Sequence, residues 1–111
     1  MGSRETPIQK GVLDYLKLKG HHVFRVNTQG VPLHGKGFEG RFRPSPMKGV
    51  SDLIGCCGRS HKDKGRFFAI EVKSETGKLT EEQALFLNNV IEAGGIGLVA
   101  RSIDDVIKAG L

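Results

Sequence analysis

No apolar run in this 111-residue chain approaches the roughly 20 residues that a bilayer-spanning helix needs, so no membrane-spanning segment is predicted. The chain does not open with the basic, apolar and small-residue pattern of a secretory leader, and Met1-Gly2-Ser3 is left out of the fold argument as an expression remnant would be. Only two cysteines occur, and Cys56 and Cys57 are adjacent. Neighbours on a strand point to opposite faces, which makes them a poor disulfide and a poor zinc clip. Reduced thiols and the missing leader predict an intracellular, cytoplasmic protein. His21 and His22 have no cysteine or carboxylate at ligand spacing, and are read as surface residues where a helix meets a strand.

Acid is scarce in one segment. Between His34 and Arg66 stand Lys36, Arg41, Arg43, Lys48, Arg59, Lys62, Lys64 and Arg66, against only Glu39, Asp52 and Asp63. The rest of the chain is balanced, so the whole net charge of +5 lies here. A charge excess so confined is the footprint of a polyanion-binding surface such as one for nucleic acid. The competing reading is a solvated basic loop kept for solubility.

What is present fits one domain over residues 1–111, since 111 residues with 38% hydrophobic content support a single core. From Arg4 to Lys19, Ile8, Val12, Tyr15 and Leu16 recur on one face of a 3.6-residue period and predict an amphipathic helix. Pro7 suits its first turn, and either Ser3 or Thr6 can cap it. With Ser3 as cap, Glu5 is helical and aims a carboxylate at the edge of the core; otherwise Glu5 lies just outside. Gly20 ends the helix, and His21–Val26 reads as a first strand. From Asn27 to Gly49 nothing is periodic, and glycines and prolines alternate with basic residues. Such a loop is expected to face substrate and to order on binding, with Phe38 and Phe42 as stacking faces. The alternative is an insertion without a role.

Val50–Cys57 reads as a second strand and Arg66–Ser74 as a third, joined by the basic tip Gly58–Gly65. Asp52 is unusual inside the apolar run Val50-Ser51-Asp52-Leu53-Ile54, and must be met by hydrogen bonds, a counter-charge or a metal. On the third strand Phe68, Ile70 and Val72 share one face, and Phe67, Ala69, Glu71 and Lys73 the other. Glu71 and Lys73 by themselves read first as a solvent-exposed ion pair, because Glu-x-Lys is a very common tripeptide. With Asp52 opposite Glu71 on the adjacent antiparallel strand, two carboxylates come close and repel unless one is protonated or a cation lies between them. Oxygen ligands of this kind suit Mg²⁺ or Mn²⁺, with Lys73 beside the metal-bound water. Thr80 with Gln83 forms a capping box for a helix carrying Leu87, Val90 and Ile91. Gln83 is open to two readings, as cap or as a residue directed at the strand ends. Ile96–Arg101 reads as a fourth strand, and Ser102 caps a last short helix through Lys108.

The resulting order predicts an α/β fold with a mixed central sheet flanked by helices. Asp52 followed by Glu71-Val72-Lys73, on an αβββαβ order, resembles the PD-(D/E)XK nuclease superfamily, with its restriction-endonuclease-like core. Within it the chain resembles the VRR-NUC family, in its stand-alone, virus-type or bacterial form. Glu5 with Gln9 is similar to that family's first motif. Gly49–Ile54 is similar to the second, with Ser51 where proline often stands. Phe68–Lys73 and Leu79–Gln83 are similar to the third and fourth. The resemblance implies that Asp52, Glu71 and the Val72 carbonyl bind Mg²⁺ or Mn²⁺. It implies that Glu5 reaches that ion through water or holds a second. Lys73 would position or help deprotonate the attacking water, and Gln83 would orient Lys73 or the scissile phosphate. It also implies a homodimer acting on branched DNA such as Holliday junctions, with Lys36, Arg41, Arg43, Lys48, Arg59, Lys62 and Lys64 as DNA contacts. Ile96–Leu98 and the last helix are the candidate dimer surface. The rival reading is a non-catalytic nucleic-acid-binding module on the same fold. A scaffold or partner-binding domain is the third.

Overall fold

The computed structural model describes residues 6–26, 31–32, 37, 42–43 and 49–111. Helix α1 covers Pro7–Leu18, and its cap is Thr6, whose hydroxyl accepts the Gln9 N–H at 3.1 Å. Of the two caps expected, Thr6 takes the role and the helix is described from Pro7 onward; Ser3 and Arg4 lie outside the described residues. Gln9, Val12 and Leu16 are its buried stripe, with Ile8 and Tyr15 packed at the margin. Gly20, at φ 88°, takes the left-handed turn that ends the helix.

Among the described residues there are six strands: β1 His22–Arg25, β2 Val31–Pro32, β3 Phe42–Arg43, β4 Leu53–Cys56, β5 Phe67–Val72 and β6 Ile96–Ala100, of which β1, β4, β5 and β6 follow the sequence pattern. Helix α2, Glu81–Glu92, joins β5 to β6, and α3, Ile103–Lys108, ends the chain's regular structure. The main sheet runs β1-β4-β5-β6. Its first three strands are antiparallel, and β6 lies parallel to β5 because α2 carries the chain back across the sheet. This is the mixed α/β sheet that the sequence predicts.

Side-chain alternation divides the core between the two faces. On one, Phe68, Ile70 and Leu53 meet Val12 and Leu16 of α1 and Val106 of α3. On the other, Ala69 meets Leu87 and Val90 of α2, with Ile54 and Val99 beside them. Phe68, Leu16, Leu53, Ile70 and Val12 are fully buried, each stabilising the fold by about 1.5–3 kcal/mol relative to exposure. Gly55 is required where β1 crosses β4, since a Cβ there would run into the His22 carbonyl and the Phe68 ring. Cys57 is buried, Cys56 is half-buried, and both are free thiols.

Three readings change. The segment read as aperiodic contains an antiparallel pair, Val31 with Arg43 and Pro32 with Phe42. Asp52 lies in a bend just before β4 rather than inside a strand. His21 is buried, not at the surface: its Nδ1 accepts the Gly58 N–H at 3.0 Å and its Nε2 lies 3.3 Å from the Leu111 carbonyl oxygen. A backbone N–H buried between α1 and the β4–β5 turn needs an acceptor, and only the folded chain brings Gly58 to His21. His22 is exposed as expected.

Candidate active site

The β4–β5 register sets the site. Leu53 opposes Ile70, so the next position outward sets Asp52 against Glu71. Asp52 leaves the ladder there, and its carboxylate replaces a strand partner by accepting the Val72 N–H at 2.9 Å. That bond satisfies the Asp52 side chain flagged by its place in an apolar run. It also fixes the carboxylate beside Glu71.

Glu71 lies on the α2 side of the sheet and is 2% exposed. Its Oε2 accepts from Gln83 Nε2 at 3.0 Å and lies 3.6 Å from Lys73 Nζ. Its Oε1 is buried with no hydrogen-bond partner. Burial first, and the Asp52 charge second, push the Glu71 carboxyl up from 4.5 to about 7, against the opposing pull of Lys73. A buried carboxylate oxygen without a donor is costly, a cost that a proton shared with Asp52 relieves and that a cation held between the two carboxylates would relieve as well. The donor set is hard oxygen, suited to a small divalent ion with water completing its shell. Among the described residues no three His, Cys, Asp or Glu side chains come together as a metal group. The acidic donors placed there are thus Asp52 and Glu71. Glu5 lies outside the described residues.

Gln83 resolves the two readings of its role by taking both. Its Oε1 accepts the Thr80 N–H at 3.0 Å, completing the capping box, while its Nε2 reaches Glu71. An amide has an acceptor and a donor end, so one side chain both starts α2 and holds the carboxylate.

Arg59, Lys62 and Lys64 are exposed on the turn between β4 and β5. That turn is at the start of β5, whereas Glu71 is near its end. The four residue steps from Phe67 to Glu71 span roughly 13 Å of strand, so these cations and the carboxylates occupy opposite ends of the sheet. Arg43 is placed on β3, paired with Val31; Lys36, Arg41 and Lys48 lie outside the described residues. Arg101 was not singled out by the sequence. Its Nη1 donates to Ser74 O at 2.6 Å and Gly77 O at 2.7 Å. Those partners are backbone atoms 27 and 24 residues away, so no local pattern marks it.

A mixed sheet flanked by helices, with an acidic pair and a lysine where β4 begins and β5 ends, defines a restriction-endonuclease-like core. The family model for the VRR-NUC domain matches residues 33–104. That is more than half of the chain, and the chain belongs to the VRR-NUC family, a family of nuclease type whose substrate is DNA. The matched span takes in Asp52, Glu71, Lys73 and Gln83 and leaves out Glu5. No curated protein matches the chain, and no solved structure does. Among the described residues no helix is long and apolar enough to cross a membrane.

Proposed function

We propose that this protein is a Mg²⁺- or Mn²⁺-dependent endodeoxyribonuclease, a single domain acting as a homodimer on branched DNA such as Holliday junctions. One observation carries the reading: the buried Glu71 carboxylate, with one oxygen unpartnered, beside Asp52 and Lys73.

In this reading Asp52, Glu71 and the Val72 carbonyl hold the cation, and Glu5 reaches it through water or holds a second. When bound, the ion polarises the scissile phosphate and acidifies a water. Asp52 is kept in place for this by the Val72 N–H, and Glu71 by Gln83. Lys73 orients the attacking water and offsets the negative charge that grows on the phosphate in the transition state. Lys36, Arg41, Arg43, Lys48, Arg59, Lys62 and Lys64 contact the DNA, the last three from the end of the sheet away from Glu71. Each chain offers one such site, and two symmetric cuts across a junction need a two-fold pair.

The test is incubation with four-way junction, flap and linear duplex DNA in Mg²⁺ or Mn²⁺. The wild type is expected to cut the junction, and Lys73→Ala to cut it about a hundred-fold more slowly, at a residual rate still measurable in single turnover. Equal behaviour of the two proteins on every substrate overturns the catalytic reading. DNA binding without cutting, unchanged by metal, favours the binding-module alternative. Sedimentation at micromolar concentration is expected to show a dimer, and a monomer alone overturns that part.

A further inference from the structure

Lys73 is held by more than its strand. Its backbone N–H donates to the Ala100 carbonyl at 3.0 Å, which ties the end of β5 to the end of β6. Directly after it the chain turns through Ser74–Gly77, where the Gly77 N–H reaches both Ser74 O at 3.2 Å and Ser74 Oγ at 3.1 Å. This turn lies against the aliphatic stem of Lys73. A Cβ added at Gly77 would stand 3.4 Å from Lys73 Cδ and 3.5 Å from its Cβ. The place of the turn therefore limits where the Lys73 stem can lie, and with it the ammonium 3.6 Å from Glu71.

One side chain ties that turn to the end of β6. Arg101 follows β6, and its Nη1 gathers the carbonyls of Ser74 at 2.6 Å, Gly77 at 2.7 Å and, more weakly, Glu75 at 3.4 Å. Bonds from a guanidinium are charge-assisted and stronger than neutral ones. Arg101 is itself fixed, since its backbone N–H donates to Asp105 Oδ2 in the first turn of α3 at 2.8 Å. Ser74 and Glu75 are exposed, so water can replace Arg101 at their carbonyls at little cost to folding. What water cannot replace is the position of the turn.

We propose that Arg101 is a positioning residue for Lys73, acting through the Ser74–Gly77 turn. The inference rests on the catalytic reading of Lys73, and its test separates the two. Single-turnover cleavage of a junction is measured for the wild type, Arg101→Met, Lys73→Ala and the double variant. Arg101→Met keeps most of the stem and removes the donors. It is expected to lower the maximal rate by about ten-fold or more, as sub-ångström to ångström misplacement of a reacting group does. The half-saturating DNA concentration and the melting temperature should change little. In the Lys73→Ala background the same substitution should cost nothing further. Gly77→Ala is the second variant, because it leaves Arg101 intact while its methyl would stand 3.2 Å from Ser74 Oγ, tight enough to shift the turn that touches the Lys73 stem. Its rate loss should likewise vanish when Lys73 is absent. An unchanged rate in both variants, or a loss of equal factor with and without Lys73, overturns the proposal. If Arg101→Met fails to fold, the Gly77→Ala pair decides alone. A fully active Lys73→Ala protein instead overturns the catalytic reading on which the proposal stands.

Discussion

Gln83 links the first turn of α2 to the Glu71 carboxylate, accepting the Thr80 N–H at one end of its amide and donating to Glu71 Oε2 at the other, both at 3.0 Å. Removing the amide loses a cap bond and leaves Glu71 with one fewer donor. Gln83→Ala is expected to destabilise the protein by about 1–2 kcal/mol, read from urea denaturation. Gln83→Glu keeps an acceptor for Thr80 but sets a second carboxylate against Glu71. It should be the more damaging of the two at pH 8, and the difference should shrink at pH 5.

The raised pKa of Glu71 makes metal-free stability depend on pH in a definite direction. Folded Glu71 holds its proton up to about pH 7, whereas an unfolded carboxyl releases it near 4.5. The stability associated with protonated Glu71 is thus complete below about pH 4.5, falls as pH rises towards 7, and levels off above it. The loss is on the order of 3 kcal/mol across that window. Glu71→Gln, which is neutral throughout, should flatten this part of the curve in chelator-treated protein. A metal-free wild type whose melting temperature rises from pH 5 to pH 7.5 more than that of Glu71→Gln would contradict the assignment.

Cation binding should show the opposite trend, because the proton on Glu71 competes with the ion. Added Mg²⁺ or Mn²⁺ should raise the melting temperature strongly at pH 8 and weakly at pH 5.5. At ten times the dissociation constant the gain is about 1.4 kcal/mol. Asp52→Ala should abolish it. Thermal melts with and without chelator make the comparison, and an equal shift in Asp52→Ala places the ion elsewhere.

His21 satisfies a buried N–H that nothing else reaches among the described residues, namely that of Gly58 at 3.0 Å. Its ring also packs edge-on to Phe68, with centroids 5.7 Å apart. His21→Ala is expected to cost about 2–4 kcal/mol, from an unsatisfied donor together with a cavity at the edge of the core. Activity per folded molecule should be retained, since the site lies at the other end of the sheet. A loss of activity without loss of stability would point to a different role.

Much of the fold was legible in the residues because its determinants are local. Ile8, Val12, Tyr15 and Leu16 repeat at helical spacing, Phe68, Ile70 and Val72 at strand spacing, and Thr80 and Ser102 stand where helices need caps. Period and capping are properties of neighbours in the chain, so they survive without any tertiary knowledge. Asp52, Glu71 and Lys73 stood out for a related reason, since an acid in an apolar run or charges ending a strand are out of place locally, whereas Gln83 stood out only by its place in a capping box. The tertiary structure decided what depends on contacts between distant segments. His21 became a core residue because α1 and the β4–β5 turn meet over it. Arg101 reaches the turn after Lys73 because β6 lies parallel to β5. Arg59, Lys62 and Lys64 are part of one charge cluster in the sequence, yet the β4–β5 hairpin carries them to the end of the sheet away from Glu71. Charge and spacing can be counted along the chain, but burial, and the separation it imposes between charges, exist only once the sheet has formed.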